Sequence, residues 1–239
     1  GCEFVVAAAM HLSWLETLCG RRPQAELVHA RAESLLENLS VDDEQSELRH
    51  AFYMRIHLGL TLGDYDLYDF SQLARATGSL HRLLEMAGSR FPYYRCIALI
   101  GEARARAARG DDGAIDDLVD VYRRMKALSS RPQGHVFLTS IIAEACLEAG
   151  QLERADALIA EALTVAALPF GAFYAPEAHR VAAECRLRAG DVAGAREALR
   201  RAKSACLALE APLESPALLF ERKIARTEAT LIDHTGQVG

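Results

Sequence analysis

Two stretches of this 239-residue chain decide its fold: Glu148-Ala-Gly-Gln-Leu-Glu-Arg-Ala-Asp-Ala-Leu158 and Arg188-Ala-Gly-Asp-Val-Ala-Gly-Ala-Arg-Glu-Ala-Leu199. Each opens where an apolar-periodic segment runs out on Ala-Gly. Glycine suits the position just past a helix end, where the backbone turns left-handed. Beyond Gly150 come Ala155, Ile159 and Ala162; beyond Gly190 come Ala195, Leu199 and Ala202. Offsets of 5, 9 and 12 residues place a small, a bulky and a small side chain on one helix face. The small residues let a second helix lie close against the first, and the bulky one fills the space between them.

The same grammar extends outward. Glycines end apolar segments at Gly20, Gly63, Gly110, Gly150 and Gly190, at intervals of 43, 47, 40 and 40 residues. Gly20 is followed by Ala25, His29 and Ala32 at the same offsets. Gly110 keeps the pattern one residue shorter, with Ala114, Leu118 and Val121, whereas Gly63 departs from it and leaves the register over 64–91 unassigned. A recurring unit of about forty residues predicts stacked helical hairpins rather than a bundle with arbitrary loops.

Composition agrees. There are 42 Ala and 33 Leu against 11 Val, 9 Ile and 8 Thr, a balance that favours helices over strands. Helices are expected near 3–19, 24–39, 43–62, 71–87, 93–109, 112–128, 133–149, 152–167, 174–189, 192–209 and 215–233. Pro23, Pro92 and Pro132 stand where first turns begin, and Ser40 and Asp191 where caps belong. One domain over 1–233 is expected, with a flexible tail at 234–239. A start at Gly1-Cys2-Glu3, without Met, reads as a piece of a longer protein.

The Gly-x-x-x-x-Ala unit, the two stretches quoted above and Pro176-Glu-Ala-His-Arg180 resemble the tetratricopeptide repeat in a long-period form. Residues 132–209 are similar to the carboxy-terminal repeats of bacterial STAND-type signalling ATPases, including those joined to nucleotide cyclases or winged-helix transcription regulators. The resemblance implies an all-α, right-handed α-α solenoid of about five helix pairs with a C-terminal capping helix. It also implies a cytoplasmic, non-catalytic regulatory module that binds a protein or peptide.

Charge and motifs narrow the chemistry. The net charge is −6, with 27 basic and 33 acidic residues and no basic stripe, so direct nucleic-acid binding is not expected. No run of apolar residues is long enough for a membrane span. No Walker-type phosphate loop, Gly-rich dinucleotide loop, nucleophile elbow or zincin motif occurs, and cofactor, metal and catalytic residues are all expected to be none. The six cysteines form no C-x-x-C pair and read as reduced core residues. Asp64-Tyr-Asp66-Leu-Tyr-Asp69 lacks the Gly and Glu of a calcium loop. Asp111, Asp112, Asp116, Asp117 and Asp120 sit at the positive end of a helix dipole. An enzyme would require His179 beside Cys185 or Asp191.

The candidate site follows from the repeat. First helices line the inner side of a curved stack, and positions ten and six residues before each glycine face it. They include Tyr53, Ser140 and Arg180, then His57, Arg104, Glu144 and Glu184. Such a groove suits a protein segment. A small effector enclosed by Tyr53, His57 and Arg104, or self-association as a homodimer, are the competing readings. Arg104 and Glu144 are also placed to pair across neighbouring repeats, for about 0–1 kcal/mol if exposed.

Overall fold

The computed structural model describes residues 8–9, 12–13, 16, 21–37, 92–111, 113–128, 133–168, 171–209 and 217–236. All regular structure among these residues is helical: α1 (Arg22–Glu37), α2 (Pro92–Ala108), α3 (Ala114–Leu128), α4 (Gln133–Glu148), α5 (Leu152–Ala166), a 3-10 turn (Ala172–Tyr174), α6 (Ala175–Arg188), α7 (Val192–Ala208) and α8 (Ala217–Gly236). The chain divides into two compact units, Gly1–Ala105 and Arg106–Gly239, with the division inside α2. The expected helices at 43–62 and 71–87, most of 3–19, Pro132 and Ser40 lie outside the described residues. The other helices begin and end within three residues of their expected limits.

The hairpin turns are built as the glycines predict. Gly110, Gly150 and Gly190 have φ of 83°, 75° and 77°. At each turn the residue after the glycine donates its N–H to a carbonyl five residues back: Asp111 to Arg106, Gln151 to Cys146, Asp191 to Arg186. That satisfies carbonyls which the helix end would leave open. Asp191 then caps α7, its Oδ1 accepting the Gly194 N–H at 2.8 Å.

The predicted small-bulky-small positions are the core. Ala155, Ile159 and Ala162 of α5 are buried, as are Ala195, Leu199 and Ala202 of α7. In the first unit Ala25, His29 and Ala32 of α1 are buried too. Ala114 and Leu118 follow suit in α3, but Val121 is half-buried and its neighbour Tyr122 enters the core instead. The third core position of α3 thus returns to the offset of 12 residues from Gly110 that the other hairpins keep.

Within the second unit α4 packs on α5 and α6 on α7, each hairpin closing on itself. Neighbouring hairpins meet through α6, which lies against α4, α5 and α8, while α8 also packs on α7. Between α5 and α6 the chain passes through Gly171, where a Cβ would stand 2.2 Å from the Val165 carbonyl oxygen. The Tyr122 hydroxyl ties α3 to both partners of the next hairpin, lying 2.6 Å from Thr139 Oγ1 and donating to Glu161 Oε1 at 2.9 Å.

Substitution at these glycines separates backbone strain from crowding. A Cβ at Gly190 meets nothing within 4 Å, so Gly190→Ala is expected to cost only the left-handed penalty, about 1–2 kcal/mol. Gly171→Ala must displace backbone and is expected to cost more, whereas Gly113→Ala meets only Asp111 Oδ1 at 3.5 Å and Arg106 Nη2 at 4.0 Å and is expected to be near neutral. Urea denaturation of the three variants checks the order through their midpoints.

Candidate functional site

The face shared by α4, α6 and α8 holds most of the sequence-predicted site that is described. Arg180 stands mid-helix in α6, 3% exposed, with all three guanidinium nitrogens hydrogen-bonded. Its Nε and Nη2 donate to the two carboxylate oxygens of Glu177 at 2.9 and 2.8 Å, a bidentate pair one helical turn away. Nη1 donates to Glu184 Oε1 at 2.6 Å, and Nη2 reaches Glu144 Oε1 on α4 at 2.8 Å. From the other side α8 contributes Lys223, whose Nζ donates to Glu177 Oε1 at 3.0 Å, and Thr227, whose hydroxyl donates to Glu184 Oε1 at 2.7 Å. Three carboxylates, two cations and a hydroxyl thus link three helices.

Burial grades this cluster from inside to edge. Glu177 is 1% exposed, the Glu144 side chain 13% and the Glu184 side chain 28%. Charges so placed are retained only because each has a partner. Burial alone would raise the Glu177 carboxyl, but Arg180 and Lys223 outweigh it and hold the pKa down to about 2. Burial raises Glu184, with the neighbouring Glu144 adding to the effect and Arg180 opposing it. Burial also opposes the charge of Arg180, yet Glu144, Glu177 and Glu184 keep it protonated well above the ordinary arginine value.

The other predicted site residues fall elsewhere. Ser140 is buried on α4 and donates its hydroxyl to the Val136 carbonyl at 2.8 Å, which satisfies it within its own helix. Arg104 is buried in the first unit. Tyr53 and His57 lie outside the described residues, as does the Asp64–Asp69 cluster. Glu177, Lys223 and Thr227 were not anticipated. A signal for the first existed: Glu177 precedes Arg180 by three residues and so shares its helix face.

His179 lines a cleft of about 230 Å³ with Leu163, Ala182, Glu197 and Arg201. Cys185 and Asp191 line a different cleft, with Leu152 and Asp156. Burial and then Arg201 lower the His179 pKa, while burial pushes the Cys185 and Cys146 thiols up to about 12 and about 11. These two thiols are core groups at neutral pH. Asp112 lies outside the described residues; the other four aspartates before and within α3 are ion-paired rather than merely set against a helix dipole. Arg106 binds Asp111 and Asp117 at 2.7 and 2.6 Å, Arg154 binds Asp116 at 2.7 Å, and Arg123 binds Asp120 at 3.1 Å. Among the described residues no group of three His, Cys, Asp or Glu side chains is set to hold a metal ion, and no helix is long and apolar enough to cross a membrane.

Removing Arg180 takes the charge partner from Glu144, leaves Glu184 with only the Thr227 hydroxyl, and removes two of the three hydrogen bonds to Glu177. Arg180→Met is therefore expected to cost about 3–5 kcal/mol, read as a lowered urea midpoint.

The two glutamates also give opposite pH signatures. Glu177 is held below its unfolded-chain value of about 4.3, so its contribution is full above that pH and is lost as pH falls towards 2. Glu184 is raised, so the native state binds its proton more tightly, and stability is gained as pH falls through that raised value. His179, with a lowered pKa, loses stability over mildly acid pH. The comparison that isolates Glu184 is wild type minus Glu184→Gln, where the His179 contribution cancels. That difference is expected to move in favour of wild type as pH falls from neutral towards 5.

Comparison with known proteins finds no matching family model, no matching curated protein and no matching solved structure.

Proposed function

We propose that the chain is a tetratricopeptide-like helical-repeat module that binds a protein segment along the face of its first helices, without catalysis of its own. The observation that carries this reading is the recurrence of one hairpin. Left-handed glycines stand at 110, 150 and 190, each followed by buried alanine and a bulky apolar residue at matching positions. A repeat of this kind builds an extended face rather than an enclosed pocket, and extended faces suit polypeptide ligands.

The bound segment carries basic side chains. The accessible edge of the shared face is the Glu184 carboxylate, 28% exposed, with Glu144 less exposed behind it; the Glu144 Oε2 atom is buried and has no hydrogen-bond partner among the described residues, so it is open to a donor only if the face shifts. A lysine or arginine arriving at this edge competes with Arg180 and Thr227 for the same oxygens. Occupancy would shift how α4, α6 and α8 sit against one another and bias whatever output region is joined to the module. By resemblance, that setting is a bacterial cytoplasmic signalling or transcription regulator.

Selection of displayed peptides on the whole chain, followed by calorimetry on the winners, tests the reading. Basic helical peptides are expected to bind, and Glu144→Gln is expected to weaken them about fivefold or more at a temperature where the variant is still folded. Absence of any peptide ligand, with a small-molecule panel raising the melting temperature, would overturn it in favour of an effector sensor.

A further inference from the structure

The last helix exposes a face that its counterparts bury. Glu144 and Glu184 each stand six residues before a turn glycine, so they hold equivalent places in successive repeats. Arg180 reaches Glu144 and Thr227 reaches Glu184, which makes Arg180 and Thr227 equivalent, 47 residues apart. The same offset carries Ala178, Ala182 and Cys185 of α6 onto Ala225, Ala229 and Ile232 of α8. In α6 all three are buried, as are Leu138, Ile142 and Ala145 at the matching positions of α4. In α8 Ala225 and Ala229 are exposed, and Ile232 is 67% exposed. The buried side of α8, formed by Phe220, Ile224, Thr227 and Leu231, lies on the opposite side of the helix.

We propose that this face pairs with the same face of a second copy of the chain, the two α8 helices running antiparallel about a two-fold axis at Ala229. Two features of α8 make the face complementary to itself. Arg226 and Asp233, both exposed, lie on one flank of the stripe and are seven residues apart, with Ala229 close to their midpoint. An antiparallel two-fold therefore sets Arg226 of each copy beside Asp233 of the other, giving two ion pairs of opposite sign. On the other flank Ala225 borders an apolar groove of about 300 Å³ between α7 and α8, with Cys206, Ile224 and the 78%-exposed Leu207. The same two-fold delivers the Ile232 side chain of the partner copy into that groove. Ala229 at the axis lets the backbones approach closely, as the alanines do inside each hairpin. Glu228 on the groove flank is neutralised within its own copy by Lys203 at 2.5 Å. The interface is independent of what occupies the α4–α6–α8 face.

Sedimentation velocity on the whole chain, from low to high micromolar concentration, tests this. A concentration-dependent dimer is expected, at the small end of specific interfaces. Ala229→Glu places a charge on the axis of an otherwise folded helix and is expected to weaken the dimer by about tenfold or more. Arg226→Asp and Asp233→Arg are each expected to weaken it roughly two- to fivefold, and the double exchange to restore it. Circular dichroism of each variant confirms that the helices remain. A monomer at every concentration would overturn the proposal. So would a dimer indifferent to Ala229→Glu, or a double exchange no better than the single ones.

Discussion

A guanidinium taken out of water must be repaid on every side, and Arg180 meets that demand by drawing in three helices. Its five N–H groups point in fixed directions, so the carboxylates that receive them have little freedom of position. Glu177 and Glu184 come from the same helix, one turn before and one turn after, and fix the rotamer of Arg180. Glu144 comes from α4, and Lys223 and Thr227 enter from α8 to complete the two glutamates. Apolar packing alone would tolerate some sliding of these helices against one another. The ion cluster does not, because a shift of a few ångströms leaves a buried charge unpaired.

The hairpins themselves were legible in the sequence because their causes are local. A left-handed turn needs glycine, a close helix crossing needs alanine, and both recur at a spacing that survives in the linear chain. The cluster was only half legible. Its pairs between helices are separated by 36, 43 and 46 residues, the first against an offset of 40 from α4 to α6 and the others against 47 from α6 to α8, so each joins positions staggered along neighbouring helices. Periodicity found the helix face and put Glu144, Arg180 and Glu184 on it. The stagger that makes them partners comes from how alanine-lined helices cross, which no count along the chain contains. The same limit explains Ser140, whose hydroxyl finds a carbonyl in its own helix, and Glu177, whose role depends on the helix that follows.

Equivalent positions in the three first helices tell how the array varies along its length. Where α4 has Ser140, α6 has Arg180 and α8 has Thr227; only the middle helix carries the full charge. An arginine on α6 is surrounded from both sides, by α4 and by α8. The ionic cluster therefore centres on α6, while α8 turns the exposed Ala225, Ala229 and Ile232 away from it.

The buried thiols add a property of a different kind. Cys146 on α4 and Cys185 on α6 are both inside the packed hairpins, and their raised pKa values leave almost no thiolate at neutral pH. An alkylating reagent can reach them only when a hairpin separates and the sulfur meets solvent. Their labelling rate is thus a native clock for hairpin opening, one sulfur in each of two neighbouring hairpins of the second unit, requiring no engineered probe.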